Sequence, residues 1–317
     1  MLSEVLRNVR LSGSLQFCFV SAGDWQTDPA ARLGDTAGIT MPFHIVVEGT
    51  CWLKTEGGEA LLQAGDVVAV PFGADHQIGA GAGGRLVNPM QDLPPPPWRN
   101  LPLLRYGDGQ GDDRVRLLCG FLHCDALGFR PLREALPPLL HASTRSEGAE
   151  WLRATVTQIA AEVDNPRAGR RSMLERLTEI LFIELLRHRI VFSAPAAEGW
   201  LAALADPALG RCLSLIHDDP GREWSVQNLS AASGLSRSTL AERFETILDT
   251  SPMRYVRDWR LCLAGVALST TSKPVAVVAF EAGYGTEAAF NRAFSRAYGA
   301  PPATWRQSAK RRQIGGA

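Results

Sequence analysis

The sequence lacks any run of about 18 apolar residues, so it predicts no membrane-spanning helix. Its first twenty residues have no separate basic and apolar regions, because Glu4, Arg7 and Arg10 are spread through them, and this disfavours a secretion signal. Without such a signal, the six cysteines are not expected to form disulfide bonds. The expected location is therefore the cytoplasm.

Net charge is also absent, because 33 Lys and Arg balance 33 Asp and Glu. A neutral chain argues at first against nucleic-acid binding, but the charge is divided unevenly. From residue 200 onward there are fourteen basic and ten acidic residues, an excess of four positive charges, and residues 1–199 carry the opposite excess. A basic C-terminal part joined to an acidic N-terminal part is typical of a DNA-binding domain fused to a second domain.

The N-terminal part, residues 1–140, alternates short apolar runs with Gly and Pro. Many short strands without a convincing helix are typical of a β-sandwich or a small barrel. Gly57-Gly58 predicts a hairpin turn, and we expect residues 78–114 to form an irregular surface excursion. The strands that the apolar runs predict lie at 17–20, 43–47, 51–53, 67–70 and 115–121.

From about residue 148 the apolar spacing becomes helical, with one stripe over 151–163 and a wider one over 173–185. Such helices need a partner surface, which is either the β domain or the same helices of a second chain. The width of the second stripe favours a homodimer. Residues 141–199 are therefore interpreted as a helical dimerisation and linker segment.

Residues 200–317 predict helices throughout and contain a repeat with an offset of fifty residues. A hydroxyl that can cap a helix follows a glycine turn in each copy, and apolar residues four and eight positions later give one buried face. A helix, a tight glycine turn and a second helix form the layout that presents a helix to the DNA major groove. The corresponding residues are Ser236 and Thr286, Leu240 and Phe290, and Phe244 and Phe294.

The segment Trp224–Arg306 resembles the AraC/XylS-type DNA-binding domain over about 80 residues. Its second motif stands at Val277–Tyr284, Phe290–Phe294, Tyr298–Pro302 and Trp305-Arg306. The resemblance implies a bacterial transcription regulator, here expected to be an activator, with both recognition helices on one DNA face about one helical turn (~34 Å) apart. Double-stranded promoter DNA is then the main partner, and RNA polymerase is a further candidate partner.

Carried over position by position, the resemblance implies ten DNA-facing residues. Arg292 can bond a guanine edge and Asn291 can read adenine, whereas Ala241 and Ala288 offer only a methyl group to thymine. We therefore expect most hydrogen-bonded base readout in the second unit, with the first unit holding register. The ten residues are Arg237, Ser238, Ala241, Glu242 and Arg243 in the first helix, and Glu287, Ala288, Asn291, Arg292 and Arg296 in the second.

The N-terminal part resembles a cupin domain. Gly65, Pro71, Gly73 and His76 fit the second cupin motif, and residues 43–49 match half of the first motif. The resemblance implies a β-barrel that senses a small molecule and is found in many regulators with this C-terminal domain.

Metal-binding cupins use two histidines separated by one residue, a glutamate and a third histidine. Here His44, Glu48 and His76 remain, while Pro42 stands at the position of the first histidine. Three ligands can hold a metal with open coordination positions, or the two histidines are hydrogen-bonded residues of the barrel. No cofactor is expected, and a divalent metal is the alternative.

Three cysteines form the second candidate site, Cys119 and Cys124 with Cys18 near them. Two thiols five residues apart on one strand point to opposite faces, which disfavours a zinc site or a direct disulfide. Regulators with this cupin-type domain include oxidant sensors, so a redox role is one hypothesis, which requires a thiol whose pKa is lowered beside His123. The other hypothesis is that these cysteines serve only as small buried apolar residues.

The sequence thus predicts an α+β chain: a cupin-like jelly-roll barrel over 1–140, the helical segment 141–199, and an all-α domain with two helix-turn-helix units over 200–317. The predicted function is a sequence-specific DNA-binding transcription regulator, not an enzyme, whose cupin-like domain senses a small molecule or an oxidant. The alternative is a metal-dependent cupin oxygenase or isomerase fused to a vestigial or secondary DNA-binding domain.

Overall fold

The computed structural model describes residues 11–28, 40–71, 75–98, 100–107, 113–124, 129–192 and 199–315. Residues 1–10, on which part of the expectation about a secretion signal depends, and Gly73 of the cupin motif lie outside this part of the chain. Contacts divide the chain into two compact units. The sandwich unit comprises residues 11–123 and 136–193, and the helical unit holds residues 124–135 and 194–317.

Two sheets of short strands build the sandwich unit. In spatial order, the larger sheet contains β11 (Leu140–Ser143), β6 (Asp66–Ala69), β3 (Thr40–Glu48), β10 (Val115–Cys124), β1 (Leu11–Ser21) and β9 (Leu103–Tyr106). The smaller sheet contains β5 (Gly58–Gln63), β4 (Thr50–Thr55), β7 (His76–Ala80), β2 (Trp25–Thr27) and β8 (Arg85–Val87).

Apolar side chains from the facing sides of the two sheets form one core. Phe19 and Leu117 of the larger sheet pack with Trp25, Leu53 and Ile78 of the smaller one. The sheets form a jelly-roll-like sandwich rather than a closed barrel, and with that refinement the predicted α+β fold class is confirmed. The predicted hairpin is also present, because β4 and β5 pair antiparallel up to Thr55 and Gly58.

The prediction of an irregular excursion over 78–114 was wrong for much of that stretch. It contains the short helix α1 (Pro89–Asp92) and strands β8 and β9, and β7 also extends into it. β9 pairs in parallel with β1, and β8 in parallel with β2. Parallel pairing between segments so far apart in sequence leaves no local hairpin signal, which is why the pattern of residues did not reveal it.

Two helices after the last strand also belong to the sandwich unit, α3 (Glu150–Asp164) and α4 (Arg170–Phe192). The short α2 (Arg130–Ala135), between β10 and β11, lies in the helical unit. α4 packs on β1. The contact at Gly13 is so close that an added Cβ would lie 2.3 Å from Oγ1 of Thr178. Leu181 and Phe182 of α4 are fully buried. The sheet thus supplies a partner surface for the buried stripe of α4, and the division into 1–140, 141–199 and 200–317 remains a prediction.

The helical unit continues with α5 (Gly199–Ala205), α6 (Pro207–Asp218), α7 (Val226–Ser233), α8 (Arg237–Leu248), α9 (Pro252–Thr270), α10 (Val275–Glu281), α11 (Glu287–Tyr298) and α12 (Pro302–Gly315). Within the described residues, none of the helices is both long and apolar enough to cross a membrane. The 19 residues of α9 separate the two predicted helix-turn-helix units. At about 1.5 Å per residue, this helix is roughly 28 Å long.

An aromatic cluster forms the centre of the helical unit. The ring of His217 stacks on that of Trp259, with centroids 4.4 Å apart, and its Nε2 lies 2.8 Å from the hydroxyl of Tyr255. The indole of Trp200 donates to the same hydroxyl at 2.8 Å. Phe129, which precedes α2, meets Tyr255 and Trp259 edge to face. The short segment between β10 and β11 therefore helps to build the core of the helical unit.

Candidate nucleic-acid interface and cavity of the sandwich

The first helix-turn-helix unit consists of α7 and α8. Ser225 and Asn228 form a reciprocal capping box at the start of α7, and Gly234 ends the helix in the left-handed conformation with φ of 72°. Ser236 then accepts a hydrogen bond from the backbone N–H of Thr239 at 3.1 Å. These local interactions fix both sides of the turn, as the sequence predicts.

The second unit repeats this construction with α10 and α11. Gly283 adopts a φ of 81° in the turn, and Thr286 accepts from the backbone N–H of Ala289 at 3.2 Å. In both recognition helices the residues four and eight positions after the cap are fully buried, which confirms the predicted repeat. The buried residues are Leu240, Phe244, Phe290 and Phe294.

The outer faces of α8 and α11 carry the predicted DNA-facing residues. Eight of the ten side chains are exposed: Arg237, Ser238, Ala241, Glu242, Glu287, Ala288, Arg292 and Arg296. Arg292 forms no ion pair with any residue that the structure describes. An exposed guanidinium of this kind can donate two hydrogen bonds to a guanine edge.

Arg243 is one of the two residues that differ from this pattern. It is half-buried, and its guanidinium forms an ion pair with Asp206, which also caps the start of α6. In this conformation Arg243 fastens α8 to α6 instead of extending toward DNA. Asp206 lies 37 residues away in sequence, so the spacing of residues within α8 did not reveal the pairing.

Asn291 is the other residue that differs. Its Oδ1 is buried and has no hydrogen-bond partner among the described residues. Reading adenine through two hydrogen bonds requires both the oxygen and the nitrogen of the amide at the base edge. The side chain must therefore rotate before it can make the predicted contact, which leaves Arg292 as the best-placed base reader.

A cavity in the sandwich unit contains the two histidines that the cupin motifs indicate. Its walls include Phe17, Phe19, Trp25 and Phe121, and its polar residues include Thr27 and Asp28. His44 lies on β3 opposite Cys119 of β10, which are register partners, and His44 Nδ1 is 3.1 Å from the sulfur. His44 Nε2 is 3.0 Å from Nε2 of His76, on the other sheet. These three side chains form a hydrogen-bonded row across the sandwich.

Burial favours the neutral forms of two residues of this row, His44 and Cys119. Burial, followed by the nearby His76, lowers the pKa of His44 well below its ordinary 6.5. Burial, with smaller effects of Cys18 and Cys51, raises the pKa of the Cys119 thiol well above 9.0. A neutral imidazole and a protonated thiol can each donate or accept a hydrogen bond, so His44 and Cys119 offer polar but uncharged contacts to a bound molecule.

The predicted metal-ligand set is not assembled in this structure. Glu48 lies outside the cavity lining, and its carboxylate pairs with Nε of Arg114 at 3.4 Å. Both ring nitrogens of His44 already lie within hydrogen-bond distance of Cys119 and His76. Across the described part of the chain, no three His, Cys, Asp or Glu side chains converge in a way that fits a metal ion. The residues present therefore fit a hydrogen-bonded row rather than a cupin metal centre.

The three predicted redox cysteines lie in different places. Cys119 faces the cavity, Cys18 lines a hollow that Arg116 also lines, and Cys124 belongs to the helical unit. All six cysteines are buried and none forms a disulfide. The required lowered pKa is not found at Cys119, because burial raises the pKa of this thiol. Cys51, which the sequence did not single out, is also buried in the sandwich core, and burial raises its pKa to about 12.

Two capped helix-turn-helix units in one helical body, in the same chain as a jelly-roll-like sandwich, define the class of protein as a DNA-binding regulator with an accessory β domain. Comparison with known proteins agrees for both parts. Residues 1–190 match a family model described as Cupin, and residues 229–308 match one described as Helix-turn-helix domain.

Three curated relatives match along nearly the whole chain. The chain is 30% identical over 317 residues to a putative AraC-like transcription regulator of Streptomyces antibioticus, with 96% of this chain and 98% of that protein covered. It is 28% identical over 319 residues to the transcriptional regulator AlkR of Acinetobacter baylyi, with the same coverage of 96% and 98%. It is 24% identical over 309 residues to the RCS-specific activator RclR of Escherichia coli, with 96% of each chain covered.

The chain belongs to the family of AraC-like transcription regulators with a cupin-type N-terminal domain. It is therefore a DNA-binding regulator of transcription and not an enzyme. The alternative of a metal-dependent cupin oxygenase or isomerase is set aside, because the relatives that match over the whole chain are named as regulators.

Proposed function

We propose that this regulator acts in the cytoplasm as an activator, and that its sandwich unit binds a small molecule in the cavity beside His44, His76 and Cys119. The observation that carries the proposal is the hydrogen-bonded row of His44, His76 and Cys119 in a cavity with several aromatic walls. An apolar cavity with a few convergent polar groups is the usual form of a small-molecule site.

The cavity chemistry favours an effector with an apolar body and one uncharged hydrogen-bonding group. The ring of Trp25 lies 4.6 Å from that of Phe19, so the wall is aromatic at that point. His44 and Cys119 offer a charged effector no charged partner, because burial favours their neutral forms. Phenol and toluene are a matched pair of probes for this rule, since they differ by one hydroxyl group.

Calorimetric titration of the full chain tests this proposal. We expect phenol to bind more tightly than toluene, and His76→Ala to remove the difference, because His76 forms the more accessible end of the row. Equal binding of the two probes, or a difference that survives the substitution, would contradict the assignment of the row as the recognition element. Prior treatment with EDTA is expected to leave phenol binding unchanged, because the proposal requires no metal.

Oxidant sensing is a second candidate function, and one observation favours it. The Nε of Arg116 donates to the sulfur of Cys18 at 3.4 Å, so a guanidinium contacts this thiol directly. One relative is named as an RCS-specific activator. Mass spectrometry after hydrogen peroxide treatment tests it: oxidation of Cys18 ahead of the other five cysteines supports the candidate, and uniform or absent oxidation rejects it.

We also propose that the regulator is a homodimer that uses the exposed side of α4, and that RNA polymerase is a partner at the promoter. Met173 and Ile180 remain 49% and 42% exposed on α4, although the opposite face is buried against the sheet. Sedimentation of the full chain tests the dimer: Ile180→Asp should yield monomers, whereas Arg171→Asp, an exposed residue half a turn around the same helix, should not.

A further inference from the structure

Trp25 holds a hydrogen-bond donor without an acceptor inside the sandwich unit. The residue lies on β2, is fully buried, and lines the cavity that also contains His44 and His76. Its indole Nε1 is buried and has no hydrogen-bond partner among the described residues. An indole N–H can only donate, and the N–H of a buried tryptophan usually has a partner. The fold alone therefore does not account for this donor.

The side chains near the indole do not supply an acceptor. The ring of Phe19 lies against it, with centroids 4.6 Å apart, and Ile78 on the adjacent β7 is apolar. A buried donor that is left unpaired costs free energy, so an acceptor that enters the cavity and meets it is stabilised there. A small rotation of the indole or of a neighbouring side chain brings such an acceptor within reach of Nε1.

Thr27 provides a second donor on the same side of β2. Residues two apart on a strand point to the same face, and Thr27 lines the cavity as Trp25 does. The Oγ1 of Thr27 accepts from the backbone N–H of Ile78 at 2.9 Å. A hydroxyl can donate as well as accept, so its proton can be given to a bound molecule. The inner face of β2 therefore favours a ligand with acceptor oxygens.

The charged residues of the lining disfavour an anion at this place. Asp28 and Asp75 line the cavity, whereas no lysine or arginine lines it in the part of the chain that the structure describes. Carboxylates repel a second anion. The acceptor that fits is therefore neutral, such as the carbonyl oxygen of a ketone, an ester or an amide.

We infer that the effector carries a neutral carbonyl oxygen that accepts a hydrogen bond from Nε1 of Trp25. The inference rests on the proposed function, since it requires an effector in this cavity. It adds a second point of recognition to the row of His44, His76 and Cys119. Trp25 is then a specificity-determining residue, which selects a carbonyl compound over a hydrocarbon of the same shape.

Acetophenone and α-methylstyrene are matched probes, because they differ only by a carbonyl oxygen in place of a CH2 group. Each is titrated calorimetrically into the full chain. Trp25→Phe keeps an aromatic ring but removes the N–H. We expect it to weaken acetophenone binding, relative to α-methylstyrene binding, by about three- to tenfold.

Trp52→Phe is the control variant on the same sheet. Trp52 does not line the cavity, and its Nε1 already donates to the carbonyl oxygen of Gly81 at 3.2 Å. The ratio of the two dissociation constants should therefore be unchanged in this variant.

Nuclear magnetic resonance of the unsubstituted chain gives a second measurement that does not depend on the folding of a variant. With nitrogen-15 in the tryptophan indoles, the Trp25 signal is assigned through the contact of its ring with Phe19. We expect acetophenone to move the indole proton of Trp25 downfield, as a new hydrogen bond does, and α-methylstyrene not to do so.

Phenol is titrated alongside, so that failure of this inference and failure of the proposed function can be told apart. If phenol binds as proposed but the indole proton does not move with acetophenone bound, the inference is overturned and the effector site stands. An unchanged ratio in Trp25→Phe has the same meaning, as does a carbonyl preference that His76→Ala removes and Trp25→Phe retains. If none of the three probes binds, both are rejected.

Discussion

At the scale of single residues, Arg292 carries most of the expected base readout. Its guanidinium is exposed on α11 and has no competing ion pair in the described part of the chain. Arg292→Ala should weaken binding to the preferred DNA site by about 1–3 kcal/mol and relax the base preference at one position. Fluorescence anisotropy with the preferred site and its single-base variants measures both effects.

Arg296 provides the matched comparison on the same helix. It lies in the last turn of α11 and is expected to contact phosphate. Arg296→Ala should weaken binding to all sequences alike and lower the salt dependence by about one ion. Loss of base preference in Arg296→Ala but not in Arg292→Ala would reverse the assigned roles.

His44 makes the stability of the sandwich unit depend on pH. Its pKa is lowered by burial, so the unfolded chain binds a proton more readily than the folded one below the ordinary value of 6.5. The contribution of neutral His44 to the free energy of unfolding is complete above that pH. It is lost as the pH falls toward the folded-state pKa, by up to about 1.4 kcal/mol per pH unit. Urea unfolding at pH 7.5 and 5.5 should show a smaller loss in His44→Gln than in the native sequence.

Cys119 should react slowly with alkylating agents. Burial raises the pKa of its thiol, and the thiolate is the form that reacts. Iodoacetamide at pH 8 should label Cys119 in urea-unfolded protein but not in the folded chain over the same time, as peptide mass spectrometry would record. Rapid labelling of the folded chain at Cys119 would reject a buried, neutral thiol.

Sequence reasoning succeeded at the residue scale wherever the interaction was local. The caps at Ser236 and Thr286 and the buried positions after them depend on neighbours within a few residues. The Arg243–Asp206 pair and the buried oxygen of Asn291 depend on how the helices of the unit pack, which no spacing within one helix contains. The ten DNA-facing residues themselves remain predictions.

At the scale of elements, the same distinction explains the strands. β3, β4, β6 and β10 follow apolar runs and a glycine hairpin, so the sequence predicted them. β2, β8 and β9 are three or four residues long, and β8 and β9 owe their parallel pairing to strands far away in the chain. Short strands with such partners have too few residues for an alternating pattern to be recognised.

The segment between β10 and β11, which contains α2, was not predicted, and it supplies Phe129 to the core of the helical unit. The ring is fully buried against Tyr255 and Trp259. Phe129→Ala should lower the free energy of unfolding by about 3–5 kcal/mol, because it leaves a cavity in a packed aromatic cluster. Phe280→Ala is the control, since that ring is 79% exposed. Similar urea midpoints for the two variants would contradict this role.

At the scale of the whole molecule, neither unit is a single continuous stretch of the chain. It enters the helical unit at Cys124, returns to the sandwich unit after Ala135, and enters the helical unit again at Ala194. β10, which carries Cys119 on the cavity wall, leads directly to the segment that holds Phe129. Cys119 on the cavity wall and Phe129 in the core of the helical unit are thus close to each other in sequence.

The uneven charge shows why a neutral chain can still bind DNA. The excess of four positive charges lies in residues 200–317, whereas the compensating negative excess lies before them. Composition and motif spacing could reveal this division. They could not reveal the hydrogen-bonded row of His44, His76 and Cys119, because its residues come from strands that only the fold brings together.

The most direct test of the account is the affinity of the full chain for DNA selected from a random pool, measured with every single-base variant of the selected site. The account predicts salt-dependent binding to two half-sites about ten base pairs apart. Base changes in one half-site should lower the affinity more than those in the other, and Arg292→Ala should remove this larger loss. Binding that is independent of sequence, or penalties that Arg292→Ala leaves unchanged in both half-sites, would contradict it.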